Sequence, residues 1–337
     1  MVFSHSFGIV PNQRIDWLRS TPLWTPFDGA PAVTLFFVLS GFVLTLPYAA
    51  GKPLKFGPFY IRRLFRLYPA YWFAIGLSLC LMPLFRPSNL AGLSEWVRGF
   101  WMNPVPTREI LKTLLMAGPG YDTRLIDPPI WSLMIEMSVS LLLPPCIFAM
   151  TRQRSWPALV GMILFSYVFG HWVWLRFASL FLFLLGGSLA LHWRTIVVWT
   201  NTRHAPTRWL FLLSSIACYG YRSLLPGLIP DSASEIVSGI GSAGLIVAAL
   251  AFPRFVAFLS GSIPQFLGRI SYSLYLLHFP VLLMTAAWVY PTLGLSCTWI
   301  TVISVSALLS AFVYHYLEIP TQTLGRRLAR TRRKGIA

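Results

Sequence analysis

Charge is scarce in this sequence. Only 11% of its 337 residues are Asp, Glu, Lys or Arg, against roughly 25% in an ordinary soluble domain, which excludes water as the solvent for most of the surface. Acids are scarcer still, with 10 Asp and Glu against 27 Lys and Arg. Such an excess would suit a nucleic-acid binder if the bases formed one stripe among polar residues. They lie instead between long apolar segments, so no nucleic-acid partner is expected and a membrane-orientation signal accounts for them. Cysteine is nearly absent: Cys80, Cys146, Cys218 and Cys297 are far apart within apolar segments, which excludes a disulfide framework and a thiolate metal site, and no metal is expected. The apolar start runs into Pro11-Asn12-Gln13 with no basic region or small-residue cleavage site, so no cleavable signal peptide is expected.

Hydrophobic residues make up 56% of the chain. A transmembrane helix needs about 20 mostly apolar residues, and such cores fall at 31–50, 67–85, 130–150, 156–174, 177–193, 208–225, 235–252, 270–290 and 296–317. Residues 1–10 form a shorter first candidate; at about 1.5 Å per residue it covers half of a hydrocarbon core roughly 30 Å thick. The expected fold is therefore all-α, a polytopic membrane helical bundle of about ten transmembrane helices with a truncated first one, in contact with the lipid bilayer. There is no repeat of fixed period. One membrane domain, 1–325, is expected, followed by a basic cytosolic tail, 326–337.

Placing the N-terminus in the cytosol puts 18 of the 27 Lys and Arg on the inner side, in 51–66, 151–155, 193–208, 253–269 and 318–337. This bias predicts a multi-pass protein of the plasma (cytoplasmic) membrane with both termini cytosolic.

An ionisable group within a bilayer is expensive and points to function. Glu136 follows Pro128-Pro129-Ile130-Trp131-Ser132; prolines suit a helix start, and Ser132 and Glu136, four apart, share a face. Its two readings are a catalytic carboxylate and a hydrogen-bonded bridge between helices. Ser271, Tyr275 and His278 form a polar stripe at i, i+4, i+7, suited to a catalytic histidine or to a packing one. Arg62, Arg63 and Arg66, taken to stand at a cytosolic mouth, match phosphate recognition by guanidinium forks and equally a positive-inside anchor. Trp96, Phe100, Trp101 and Tyr121 in the outer segment 86–129 suit sugar stacking, but aromatics also gather at membrane interfaces, and that reading is preferred. His171, Trp172, His315 and Glu318 end their spans and are read as structural.

Helical rise places His5 and Glu136 roughly 8 to 9 Å below the outer surface and His278 roughly 13 Å above the inner one. This matching depth allows His5 to act as base with Glu136 its orienting partner or a ligand of the acceptor hydroxyl, while His278 lines the donor path and is the second candidate for the base.

Together these segments resemble the acyltransferase 3 family of integral membrane acyltransferases, the O-antigen acetylase type, from His5 to Leu328. The matching motifs are Thr34-Leu35-Phe36-Phe37-Val38-Leu39-Ser40-Gly41-Phe42, Arg63-Leu64-Phe65-Arg66, Trp131-Ser132-Leu133 with Glu136, Leu267 to His278, and Tyr316-Leu317-Glu318-Ile319-Pro320. The resemblance implies transfer of an acetyl or other short acyl group from acyl-coenzyme A to a hydroxyl of a carbohydrate or other cell-envelope acceptor, with no permanently bound cofactor. It implies an essential first-span histidine, supplied by His5, and donor binding by the Arg-x-x-Arg pair. The expected catalytic set is His5, Glu136 and His278; Arg62, Arg63 and Arg66 bind the donor, and Trp131, Ser132, Ser271 and Tyr275 support the acceptor. The family's basic residue some ten positions before the histidine has no counterpart here, and a reading frame that begins upstream is expected. The rival function is a transporter or flippase of an envelope glycan, for which matched broken helices are absent from the sequence.

Overall fold

Apolar runs punctuated by proline and short polar turns fold here as helices, as the sequence predicts. The computed structural model describes residues 1–11, 13–19, 21–85, 92–116, 122–173, 179–224, 227–228 and 231–331, and among them there is no strand. In chain order the helices are α1 (Val2–Ser6), α2 (Gln13–Arg19), α3 (Gly29–Ala49), α4 (Phe56–Leu81), α5 (Glu95–Arg98), α6 (Thr107–Leu115), α7 (Trp131–Arg152), α8 (Trp156–Val173), α9 (Leu180–Asn201), α10 (Ala205–Tyr219), α11 (Tyr221–Leu224), α12 (Asp231–Ala251), α13 (Pro253–Leu259), α14 (Ser262–Trp288), α15 (Tyr290–Val313) and α16 (Ile319–Thr331). A π-helical turn, Tyr314–Glu318, joins α15 to α16.

Seven helical stretches among the described residues are long and apolar enough to cross a membrane: Gly29–Ala49, Phe56–Leu84, Pro128–Arg152, Leu180–Asn201, Ala233–Ala251, Ser262–Trp288 and Tyr290–Arg330. The protein is thus a multi-pass membrane protein with an all-α fold. The spans expected at 156–174 and 208–225 correspond to α8 and α10, helices of 18 and 15 residues that are not among these seven. Only α1, five residues long, forms within the first ten.

The chain forms two compact units. Residues 1–13, 55–137 and 266–337 make one, and 14–54 with 138–265 make the other. In the first, Leu67, Tyr71 and Ile75 of α4 are buried with Ile130, Leu133, Leu276 and Leu277, while Phe279 and Leu283, further along α14, are buried with Ile9, Val97 and Phe85. Tyr71 donates to the Thr113 carbonyl at 2.5 Å and Tyr272 to the Leu67 carbonyl at 2.6 Å, so these buried hydroxyls are satisfied.

In the second unit α3 and α9 approach through two glycines. A Cβ on Gly41 would fall inside the backbone of Phe183, and one on Gly186 inside that of Val38. Lipid tails give helices no hydrophobic reason to associate, so close backbone approach over small residues supplies the attraction by van der Waals contact.

Candidate functional site

Six ionisable side chains of the first unit, His5, His278, Arg63, Arg66, Glu136 and Glu318, form two layers along α14. The first layer is a histidine pair. His5 Nδ1 lies 2.9 Å from His278 Nε2, and the two rings are nearly parallel, 5.1 Å apart. His278 is fully buried, and its Nδ1 lies 3.0 Å from the Leu274 carbonyl oxygen, one turn back on α14.

That last contact assigns the protons. A carbonyl oxygen only accepts, so His278 Nδ1 carries hydrogen; in a neutral imidazole the other nitrogen then accepts. His5 Nδ1 is therefore the donor between the rings, and the lone pair of the His5 ring falls on Nε2.

Aromatic rings wall this pair. Trp96 lies 5.7 Å from His5, and the buried Phe279 meets both His5 and Trp96 edge-on at 5.4 and 5.7 Å. The short α1 is held in place from α15, where Trp299 Nε1 donates to the Ser6 carbonyl at 3.0 Å.

The second layer lies five residues along α14, a rise of about 7 to 8 Å. Arg63 Nη2 is 2.6 Å from Glu136 Oε1. Arg66 pairs with Glu318, which also accepts from Ser273 Oγ and from Gln322 Nε2. The Arg66 guanidinium sits 5.0 Å above the ring of Tyr272. Two guanidinium groups and two carboxylates make a quartet of no net formal charge, which is how charged groups persist in the body of a membrane protein.

Between the layers, the Tyr275 hydroxyl donates to the Pro129 carbonyl at 2.6 Å. It then accepts from Ser132 Oγ at 2.7 Å, which ties α14 to the turn that starts α7. Asp127, just ahead of that turn, is fully buried with neither carboxylate oxygen hydrogen-bonded. Burial alone pushes its carboxyl well above the ordinary range.

Compared with the expected set, the structure brings His5 to His278 and Glu136 to Arg63. Apolarity alone starts this helix at 270 and places His278 deeper than His5; α14 begins at Ser262, which lifts His278 by about 12 Å. Likewise α4 begins at Phe56, so Arg63 and Arg66 stand roughly 10 and 15 Å along the helix, within its body. Arg62 is exposed on that helix. Trp131 is 40% exposed at the start of α7. Ser271 is exposed and donates to the Gly268 carbonyl at 2.9 Å within its own helix; the residues of α14 that face the ionic quartet are Tyr272 and Ser273. Tyr121 lies outside the described residues, as do the side chains of His171 and Trp172.

Glu318 was read as a wet span end, yet its side chain is 1% exposed. The available signal was its place in Tyr316-Leu317-Glu318-Ile319-Pro320, one of the matching motifs. The π turn around it marks it further, since such turns gather at functional sites.

Residues 1–316 match the profile of an acyltransferase domain. The chain belongs to the acyltransferase 3 family. It is therefore an enzyme that transfers acyl groups other than aminoacyl groups. Among characterised relatives it is 21% identical over 356 residues to nodulation protein 10 of Rhizobium leguminosarum bv. viciae, covering 96% of this chain and 90% of that one. It is 25% identical to the O-acetyltransferase OatA of Staphylococcus aureus over 88% of this chain and 53% of that protein, so it spans about half of OatA. It is 24% identical to the O-acetyltransferase PaAT-1 of Phomopsis amygdali over 76% of this chain and 62% of that one. No solved structure matches the chain.

Proposed function

We propose that this acyltransferase moves an acetyl or other short acyl group from acyl-coenzyme A to a hydroxyl of a carbohydrate or other cell-envelope acceptor, with His5 as the general base. The observation that carries this reading is the orientation of the histidine pair, in which the Leu274 carbonyl fixes His278 and His278 fixes His5. The names of OatA and PaAT-1, both O-acetyltransferases, support a hydroxyl as the acceptor.

In the proposed reaction His5 Nε2 takes the hydroxyl proton as the acceptor oxygen attacks the thioester carbonyl. The tetrahedral intermediate collapses with loss of the coenzyme A thiolate, which recovers the proton from the imidazolium. The products are the ester and the free thiol. His278 accepts from His5 Nδ1 throughout and keeps the reactive lone pair on Nε2, the role that an orienting group plays for a catalytic base.

The anionic donor is assigned to Arg62, Arg63 and Arg66. Arg63 is the more enclosed of the pair, 11% exposed against 35% for Arg66, so Arg66 and the exposed Arg62 are the more accessible to donor phosphates. An extended pantetheine arm spans the 7 to 8 Å rise, about five residues, from this layer to the histidines. That path fits a donor entering from the cytosol and both termini on the cytosolic side. Reporter fusions after Leu54 and Thr202 reading as exported would overturn it.

The test of the reaction is single-turnover transfer from radiolabelled acetyl-coenzyme A by purified protein, with donor binding measured separately. His5→Ala is expected to lose about 10²- to 10⁴-fold in transfer while still binding donor. Near-normal transfer by His5→Ala would sink the assignment. Loss confined to His278→Ala would move the base to α14.

A further inference from the structure

Trp96 belongs to a loop that the sequence reads as a membrane-interface segment, yet the loop is fastened to the chain just after His5. Ser94 N donates to the Ile9 carbonyl at 2.9 Å, and Ser94 Oγ donates to the Gly8 carbonyl at 2.6 Å. The same Oγ accepts from Val97 N at 3.3 Å and so starts the short helix that carries Trp96. Gly8 completes the fit. A Cβ there would lie 3.1 Å from Cε3 and Cζ3 of the Trp96 ring, so a side chain at this position would press the indole back by a few tenths of an ångström.

The braces on Trp96 also pack against each other. Phe100 meets it edge-on at 5.3 Å, Phe279 meets it edge-on at 5.7 Å, and these two phenylalanines meet each other at 4.9 Å. Phe279 is fully buried. Against all this packing Trp96 remains 40% exposed. A tryptophan serving only to anchor a loop in the headgroup region needs neither a fixed ring nor proximity to an ionisable group. Here a large, flat, partly open apolar ring is held beside the His5 imidazole, with ring centroids 5.7 Å apart.

Resting on the reading of His5 as the base, we infer that Trp96 is the acceptor platform and that the acceptor it selects is a pyranose ring. The C–H face of a pyranose is apolar and matches an indole, while its hydroxyls project around the rim. A sugar stacked on Trp96 presents such a rim hydroxyl toward an imidazole whose centroid is 5.7 Å from the indole's. Holding the ring in this way orients the hydroxyl before the reaction, which is the effect that raises an intramolecular over an intermolecular rate. Acyclic polyols have the hydroxyls without the flat face, so they gain nothing from the platform.

The experiment compares two acceptors with the full chain in detergent and acetyl-coenzyme A as donor: methyl glucopyranoside, which has the ring, and glycerol, which does not. For Trp96→Ala the kcat/KM ratio of ring to acyclic acceptor is expected to fall about tenfold or more, carried mainly by KM, with Trp96→Phe recovering part of it. An unchanged ratio in Trp96→Ala overturns the proposal, whether both acceptors are unaffected, as for an interfacial anchor, or both fall equally, as for a brace acting only on His5. If wild type cleaves acetyl-coenzyme A in a His5-dependent way but acylates no pyranoside, the pyranose assignment is overturned while the acyl-transfer reading stands. Cleavage that persists in His5→Ala overturns the base assignment and the platform with it.

Discussion

Arg63 Nη2 and Glu136 Oε1 are 2.6 Å apart, with side chains only 11% and 4% exposed. A buried ion pair is at best a modest source of stability when both members are replaced together, but removing one strands the other's charge. Arg63→Ala and Glu136→Ala are each expected to destabilise the protein by about 3 to 5 kcal/mol, and the double variant by clearly less than their sum. Thermal unfolding in detergent measures this, and additive losses would show the pair to be uncoupled.

The other pair is asymmetric, and its variants should be too. Glu318 is 1% exposed and Arg66 35%. Arg66→Ala leaves a buried carboxylate without its cation, whereas Glu318→Gln leaves a guanidinium that is only partly enclosed and still lies over the Tyr272 ring. Arg66→Ala is therefore expected to lower the unfolding midpoint more than Glu318→Gln does. The reverse order would mean that the charge of Glu318 is held by something other than Arg66.

Gly41 and Gly186 leave no room for a methyl group, while nothing lies within 4 Å of a Cβ at Gly161. Gly41→Ala and Gly186→Ala are expected to cost about 1 to 3 kcal/mol or more by forcing α3 and α9 apart. Gly161→Ala, in the middle of α8, is expected to be neutral or to stabilise by about 0.5 to 1 kcal/mol. Equal effects at the three sites would contradict the close helix crossing.

Asp127 gives a pH signature. Its buried carboxyl keeps its proton well above the ordinary value of 3.8, while the unfolded chain loses that proton near the ordinary value. Ionisation thus favours the unfolded state: the penalty is absent below the unfolded pKa and grows as pH rises, until the folded group ionises as well. Asp127→Asn cannot ionise and is expected to unfold at a higher temperature than the parent at pH 7. The gap should close near pH 4 or below. A gap independent of pH would show that charge is not its origin.

The helical fold and most of its spans were legible because twenty-residue apolar runs have one stable form in a bilayer. The cores at 31–50, 130–150 and 270–290 lie within or closely overlap α3, α7 and α14. Helix starts were not legible. Hydropathy ends a span where charge begins, but α4 carries Arg62, Arg63 and Arg66 inside the helix, because carboxylates from α7 and the π turn neutralise Arg63 and Arg66. That error in starting points carried into the expected depths, and so His278 was set apart from a residue it touches. The individual residues His5, Glu136, Arg63, Arg66 and His278 were legible because ionisable groups are so rare in apolar sequence. Their pairing depends on which helices adjoin, information that no single segment holds.

The π turn at Tyr314–Glu318 makes the position of Glu318 a question of angular phase. A π turn holds one residue more than an α turn, so whatever follows is rotated by about 100° from where an uninterrupted α-helix would place it. Deleting or inserting a single residue within the turn would change the width of the turn that carries Glu318 and so where its carboxylate points. Length in this stretch is therefore under tighter constraint than composition: the five-residue turn acts as a spacer that clocks one carboxylate toward Ser273 and Arg66, and natural variation here is expected as substitution and not as deletion.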